Sequence, residues 1–165
     1  MATRSTIALE FADGTIGQVY CHWDGYLAHN GKILFENYSN PFILRDLIDL
    51  GAVSSLNVTI GTKHPFSQFD TDIPKDEYEN LYGNMTTFYG RDRGEGEYQA
   101  TYFKDFADFK ANCQQEEYDY ILRNVNGVAT WFVSDHGSEF ILLTEAFAEE
   151  ARELAEIAEV EILPL

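Results

Sequence analysis

The stretch from Ser5 to Tyr26 constrains the fold of this chain most strongly, because it has the pattern of a β-hairpin. Apolar residues alternate with others from Ile7 to Phe11, which is the two-residue period of a strand. Asp13-Gly14 then tolerates the positive φ angles of a two-residue type I′ turn, and a second strand follows over Ile16–Trp23. Neither face is consistently polar, so we expect a central hairpin covered at least partly on both faces. Such a loop sets the cross-strand pairs Phe11–Ile16, Leu9–Gln18, Ile7–Tyr20, Ala8–Val19 and Thr6–Cys21.

The rest of the chain alternates further strand patterns with single helices. Asn126-Gly127 predicts a second two-residue turn, here between strands over Tyr118–Val125 and Val128–Ser134. Additional strands are predicted over Leu56–Ile60, Met85–Tyr89, Tyr98–Phe103 and Glu139–Leu143. Helices are predicted over Gly31–Tyr38, Pro41–Leu50, Asp105–Gln115 and 144–159. The pattern indicates one α+β domain over residues 1–165, a mostly antiparallel sheet of six or seven strands with two or three helices packed on it.

Helix-end signals support these helices. Asn30 and Asp105 are predicted N-caps, and Asn40 before Pro41 is a matched pair of N-cap and first helical residue. Gly51 stands where a glycine that ends a helix belongs. The apolar stripe of the second helix is predicted to comprise Phe42, Leu44, Leu47, Ile48 and Leu50. That of the C-terminal helix is predicted to comprise Phe147, Ala151, Leu154 and Ala158, all facing inward.

Residues 61–83 break the pattern, since they contain two prolines and no sustained period. We expect a long surface loop or insertion there, with one helical turn over Lys75–Leu81. Loops of this length are uncommon in compact domains and are often functional.

Composition limits the partners and the compartment. Hydrophobic residues make up 45% of the chain and aromatic residues 15%, which is typical of a globular domain. The formal net charge of −17 repels phosphates, so no direct nucleic-acid binding is expected. No apolar run has the length of about 20 residues that spans a membrane, and no signal peptide is apparent. Cys21 and Cys113 lack zinc-site spacing, so we expect reduced thiols, no metal, no cofactor and a cytoplasmic protein.

The loop Gly90–Glu97 is the first candidate site. Arg91 and Arg93 stand between glycines and have the fork geometry that binds phosphates or carboxylates. Asp92 and Glu95 lie beside them, however, and can pair with both arginines. The spacing matches no phosphate-binding or dinucleotide-binding motif. We favour a charged hairpin turn over a ligand loop.

The hexapeptide from Cys21 to Tyr26 is the second candidate site. Cys21 and His22 are adjacent on a strand, so their side chains point to opposite faces and cannot form a thiolate–imidazole pair. His22 and Asp24 share a face, which allows a histidine–carboxylate pair. We favour a core histidine, a buried thiol and a tight turn at Asp24-Gly25. Ligand-pocket walls formed by Tyr20, His22, Trp23, Asp24 and Tyr26 are the alternative.

The C-terminal helix is the third candidate site, because acidic residues repeat along one side of it. Glu145, Glu149 and Glu153 are four residues apart, a like-charge arrangement that costs roughly 0.2–0.5 kcal/mol per pair. Together with Glu156 they form an acidic row that imitates the phosphates of a nucleic acid. A solvated helix face that keeps the protein soluble explains the same pattern and is slightly favoured.

Three segments, Ser5–Lys32, Phe88–Glu95 and Glu117–Asp135, resemble a widespread family of small acidic proteins that tailed bacteriophages and prophages encode. The resemblance covers about half of the chain. It implies a setting, the cytoplasm of an infected bacterial cell, and it assigns no activity, cofactor or residue role.

Two functions follow as expectations. The first is a non-catalytic phage accessory protein that binds and inhibits a host factor, a defence or nucleic-acid-handling protein with a basic surface. The second is a small-ligand or nucleotide-binding protein, or a minor enzyme, that uses Arg91 and Arg93 with Tyr20, His22 or Tyr26 as pocket walls.

Overall fold

The computed structural model describes residues 2–96 and 99–162, and an eight-stranded mixed sheet runs through them. The strands are β1 (Ser5–Glu10), β2 (Ile16–Cys21), β3 (Val53–Ser55), β4 (Thr87–Phe88), β5 (Thr101–Phe103), β6 (Tyr118–Val125), β7 (Val128–Asp135) and β8 (Ile141–Leu142). Their order is β4-β3-β2-β1-β6-β7-β8, and β5 also pairs with β2. The pairs β1–β6 and β2–β3 are parallel and the remaining described pairs are antiparallel. The predicted single α+β domain with a mostly antiparallel sheet is confirmed.

Helices lie on both faces of the sheet and between its strands. A π-helical turn (Leu27–Gly31) leads into α1 (Lys32–Asn37), and these are followed by α2 (Pro41–Leu50), α3 (Lys75–Tyr82), α4 (Phe106–Asn112) and α5 (Leu143–Ile162). The helical turn predicted within the long loop is therefore present as α3. No helix among the described residues combines the length and the apolar character needed to cross a bilayer.

The register predicted for the first hairpin is wrong by one residue. Ile7 lies opposite Val19 rather than Tyr20. Asp13 is the physical reason, because its carboxylate accepts hydrogen bonds from the backbone N–H and the hydroxyl of Thr15, at 3.0 and 2.6 Å. In this local turn Gly14 has a positive φ of 90° and Asp13 does not, whereas the predicted type I′ turn needs positive φ angles at both residues. A one-residue shift exchanges the faces of a strand, so Val19 and not Tyr20 enters the main core.

The second hairpin forms as predicted. Asn126 and Gly127 adopt φ angles of 52° and 84°, and Val125 pairs with Val128 across the two-residue turn. The inner face of this hairpin buries Tyr120, Leu122, Trp131 and Val133.

Helix α2 begins and ends as predicted. The side chain of Asn40 accepts a hydrogen bond from the backbone N–H of Phe42 at 2.9 Å, and Gly51 ends the helix with a φ of 86°. Its buried stripe is narrower than expected, because Phe42 is 81% exposed and Leu50 is exposed too. Both lie at the ends of the helix, outside its buried central turns. The buried members of the stripe are Leu44, Leu47 and Ile48.

The predicted N-cap role of Asn30 is wrong, since this residue lies inside the π-helical turn and is fully buried. Its amide nitrogen donates to Ser5 Oγ and Cys21 Sγ, both at 3.3 Å, and to the carbonyl of Trp23 at 3.2 Å. The wider turn thus brings Asn30 over the end of the central hairpin, where it holds the Cys21–Tyr26 segment.

The inward stripe predicted for α5 is also wrong in part. Ala146 is buried and Phe147 packs edge-on against Phe35, with ring centroids 5.8 Å apart. From residue 151 to 158, in contrast, every side chain is exposed. The reason is geometric: α5 contacts β7, β8 and the π-helical turn near its start, and its later turns have no sheet beneath them.

Each face of the sheet carries a core. The larger core contains Ile7, Leu9, Val19, Tyr120 and Leu122 and is covered by α1, α2 and the start of α5. A smaller one on the opposite face contains Ala8, Ile16, Phe103, Phe109 and Ile121 and is covered by α4. The expectation of a hairpin covered on both faces is confirmed.

Candidate functional site

Arg91 is fixed inside the protein rather than presented to a ligand. Its Nη2 donates to the carbonyls of Ile60 and Thr86 at 2.8 and 2.9 Å, and its Nη1 donates to that of Gly61 at 3.1 Å. The guanidinium carbon also lies 4.7 Å from the centroid of the Phe88 ring. Arg91 therefore fastens the start of the long loop to β4.

Asp92 is the buried centre of the same loop. Its carboxylate accepts hydrogen bonds from the backbone N–H of His64 at 3.1 Å and of Phe88 at 2.8 Å. Arg91 Nε lies 3.1 Å from the same group and compensates its charge. A buried carboxylate with this many donors holds its surroundings rigidly.

Arg93 is the more accessible arginine of the loop. Its guanidinium carbon lies 4.8 Å from the centroid of Tyr89 and 5.1 Å from that of Phe66, so it sits over both rings. Nη1 donates to Ser54 Oγ at 3.2 Å, and Nε lies 3.3 Å from a carboxylate oxygen of Glu95. The predicted pairing with an acidic neighbour is present, and the outer part of the guanidinium stays in contact with solvent.

The Cys21–Tyr26 segment divides between core and surface. Cys21 is fully buried, and burial raises the pKa of its thiol to about 11. His22 points to the other face, as predicted, where Nδ1 shares a hydrogen bond of 2.7 Å with the hydroxyl of Tyr20. Trp23 packs edge-on against the His22 ring, with centroids 4.6 Å apart. The imidazole is thus oriented by Tyr20 rather than by the carboxylate of Asp24.

Asp24-Gly25 lies between two bends of the chain, at Trp23 and Tyr26, and not at the tip of the predicted tight turn. Asp24 has a φ of 58°, and the N–H of Gly25 donates to the carbonyl of Thr3 at 2.8 Å. A Cβ atom on Gly25 would lie 2.7 Å from Ser5 Cβ, so glycine is required for this close approach. Tyr26, which is exposed, follows Gly25 and lies beside His29.

The fold brings the arginine loop and the Cys21–Tyr26 segment together. Tyr20, His22, Ser54 and Tyr89 share one sheet face, because their neighbours Cys21, Val53 and Phe88 pair on the other. Ser54 joins the two parts: its carbonyl accepts from Trp23 N–H at 3.1 Å, and its hydroxyl oxygen accepts from Arg93 Nη1 at 3.2 Å. We call the resulting patch the aromatic–arginine surface. It consists of Tyr20, His22, Trp23, Phe66, Tyr89 and Arg93.

The acidic residues of α5 lie where a partner can reach them. Glu145, Glu149, Glu153 and Glu156 are all exposed. Two of them, with Glu150, also line a cavity of about 470 Å³ between α5 and the end of β7. Asp135 and Tyr118 contribute to the same cavity, so its lining is strongly acidic.

The sequence analysis missed a buried polar network on the smaller-core face of the sheet. Asp119, on β6, is 1% exposed and accepts a hydrogen bond of 2.6 Å from the hydroxyl of Thr6 on β1. Burial is the main cause that raises its carboxyl pKa to about 6. The available signal was its position, since Asp119 shares a strand face with the apolar Ile121.

Among the described residues, no group of three or more histidine, cysteine, aspartate or glutamate side chains is arranged to hold a metal ion. Comparison of the chain with protein-family models, with curated proteins and with solved structures found no match.

Proposed function

We propose that this protein is a non-catalytic binding module whose α5 helix engages a basic, partly apolar surface on a partner protein. The observation that carries the proposal is the exposure of every side chain from residue 151 to 158. A helix segment this short is only marginally stable in water when no other part of a protein packs against it. A partner that covers it would supply the missing contacts.

The charge of α5 indicates that the partner surface is basic. The α5 segment contains seven glutamates and one arginine, within a chain whose net charge is −17. A concentrated negative field attracts basic surfaces and raises their association rates at low salt. A second copy of the same chain would bring acid against acid, so a partner of opposite charge is favoured.

Exposed apolar side chains on α5 indicate that the partner surface is also partly apolar. Leu154 is 61% exposed and Ile157 is 56% exposed, and both project from α5 between its glutamates. Positions three residues apart share one helix face, which is how amphipathic helices insert into grooves. The expected partner therefore offers an apolar groove with a lysine-rich or arginine-rich rim.

The resemblance to bacteriophage proteins supplies a setting for this interaction. In that setting the partner is a host defence or nucleic-acid-handling protein in the cytoplasm of the infected cell. Acidic residues four positions apart on a helix repeat every 6 Å or so, and such a row is suited to occupy a surface that binds phosphates. Binding would inhibit the host factor by occlusion.

Charge reversal on α5 tests the proposal. The protein captures its partner from a host lysate, and the purified partner is then used to measure association rates at several salt concentrations. In the variant Glu149→Lys/Glu153→Lys/Glu156→Lys the association rate should fall at least about tenfold at low salt. Leu154→Asp should instead accelerate dissociation.

A matched control carries the same change in charge elsewhere. Asp46→Lys/Asp49→Lys/Asp76→Lys alters exposed positions on α2 and α3. If both triple variants lose the same binding, only the net charge matters and the α5 site is rejected. If neither loses binding, the acidic helix is a solvated face.

The aromatic–arginine surface is a second candidate site, for a small ligand or a partner. It combines the exposed Trp23 with the half-buried Tyr20 and Arg93, the residue types that contribute most to binding energy at interfaces. Trp23→Ala and Arg93→Ala would weaken binding there and leave the α5 interaction unchanged, so the two candidates are separable in one binding assay.

A further inference from the structure

A second cavity, of about 510 Å³, opens on the sheet face opposite the larger core. Its walls include the rings of Phe106, Phe132 and Phe140, and the centroids of Phe106 and Phe140 are 6.0 Å apart. The volume lies within the range of small-molecule sites in proteins, about 300–1,000 Å³. Aromatic walls of this kind can pack against a flat, apolar part of a ligand.

Asp119 gives this cavity a charged group that is otherwise shielded from water. Its Oδ1 accepts from Thr6 Oγ1 at 2.6 Å and from the backbone N–H of Glu116 at 3.1 Å. Its Oδ2 accepts only a longer contact of 3.3 Å, from the same backbone N–H of Glu116. A carboxylate has about four acceptor positions, so Oδ2 retains capacity for a further donor.

The network behind Asp119 holds the carboxylate in place. Gln18 Nε2 donates to Thr6 Oγ1 at 2.9 Å, and Thr6 in turn donates to Asp119. Gln18 is itself fixed by two bonds with the backbone of Gln114, at 2.9 and 3.1 Å. Preorganised second-layer contacts of this kind are typical of binding sites.

The charges around the cavity decide which ligand it favours. Arg123 also lines the cavity: its guanidinium carbon lies 3.7 Å from the centroid of the Phe106 ring, and its Nη2 pairs with the carboxylate of Glu10 at 3.0 Å. Lys110 and Glu139 lie on the rim with opposite signs, and Glu116 and the half-buried Cys113 lie near Asp119. Among the described lining residues, Asp119 is thus the buried carboxylate with no cationic partner, and the net charge of −17 repels anions.

We infer that this cavity binds a small organic cation, with a primary ammonium that donates to Asp119 and a flat aromatic body among the three phenylalanine rings. The inference is independent of the α5 interaction, because none of the α5 side chains that the structure describes lines this cavity. An ammonium meets an ionised carboxylate best, so binding should strengthen as the pH rises from 5 to 7, through the raised pKa of Asp119 at about 6.

Three indole probes test the inference by calorimetry on the whole protein: tryptamine, a cation; indole, neutral; and indole-3-propionate, an anion. Tryptamine should bind more tightly than the other two. Asp119→Asn should weaken tryptamine at least about tenfold, because a charge-assisted hydrogen bond is replaced by a neutral contact. Asp49→Asn is the matched control, because Asp49 is exposed on α2 and does not line the cavity, and it should leave tryptamine binding unchanged.

The wild-type protein supplies a second measurement that does not depend on the folding of a variant. Cys113 lines the cavity and is half-buried, whereas Cys21 is fully buried, so slow alkylation by iodoacetamide reports on Cys113. Saturating tryptamine should slow this reaction severalfold and indole-3-propionate should not. Four outcomes would each overturn the inference. The anion could bind more tightly than tryptamine, or tryptamine could fail to bind up to millimolar concentration. Asp119→Asn could bind tryptamine as well as the wild type does, or tryptamine could leave the alkylation rate of Cys113 unchanged.

Discussion

The hydroxyl of Thr6 donates to Oδ1 of Asp119 across 2.6 Å, although 113 residues separate the two in sequence. The contact exists because β1 and β6 pair in parallel, with Thr6 directly beside Asp119. It places a carboxylate in the sheet interior, where charge is costly.

Asp119→Asn should stabilise the protein increasingly as the pH rises. The carboxyl pKa is about 6 in the folded protein and 3.8 in its ordinary state, so the folded chain binds the extra proton between these values. Folding stability is thus lost as the pH rises through this window. The advantage of the variant in urea unfolding should grow by about 1–3 kcal/mol from pH 4 to pH 7.5. A difference that stays constant with pH would show that Asp119 titrates normally.

Asn30→Ala should destabilise the fold by about 2–4 kcal/mol, since it removes a buried amide whose nitrogen has three partners and leaves a small void. Asn37→Ala is the control: that amide donates to Ile33 O but is exposed, so the expected loss is below about 0.5 kcal/mol. Thermal and chemical unfolding of the two variants measure the difference. Equal losses would contradict the role given to Asn30.

Gly25→Ala should destabilise strongly, because the new methyl group would lie 2.7 Å from Ser5 Cβ and 2.8 Å from the carbonyl oxygen of Thr3. Gly90→Ala is the matched control, since a Cβ there has no neighbour within 4 Å. We expect the control to be neutral or stabilising by up to about 1 kcal/mol, through a less flexible unfolded chain. Similar melting temperatures for the two variants would argue against the close approach at Gly25.

Arg91→Gln and Arg93→Gln should differ in their effect on stability. The first substitution takes the guanidinium donor from the carbonyls of Ile60 and Thr86 and the compensating positive charge from buried Asp92, at an expected cost of about 2–4 kcal/mol. The second removes a partly exposed cation from two rings and should cost less than about 1 kcal/mol. The reverse order in urea unfolding would contradict the assignment of Arg91 to the framework.

Local signals in the sequence explain what could be predicted. Asn40-Pro41 and Gly51 mark helix α2 by their own backbone preferences, and Asn126-Gly127 fixes its hairpin in the same way. Asp13-Gly14 has the same appearance but a different outcome, because the Asp13 side chain bonds to Thr15 and moves the register by one residue. Propensity alone does not separate these two outcomes.

Long-range pairing explains what could not be predicted. The Asp119 network depends on strands that meet across more than a hundred residues, and the aromatic–arginine surface depends on β2, β3 and β4 lying side by side. The exposed stripe of α5 has the same cause: its periodicity indicates an apolar face, and only the extent of the sheet decides whether that face is covered.

The parallel pairing of β1 with β6 also governs the order in which the chain can mature on the ribosome. Until Tyr118–Val125 has emerged, β1 has an open edge with unpaired N–H and carbonyl groups, next to a hairpin already able to form. Open edges recruit other strands, and distant pairings close slowly. Nascent chains halted before Tyr118 should therefore aggregate or require a chaperone, whereas chains that extend past the Asn126-Gly127 turn can seal the edge themselves.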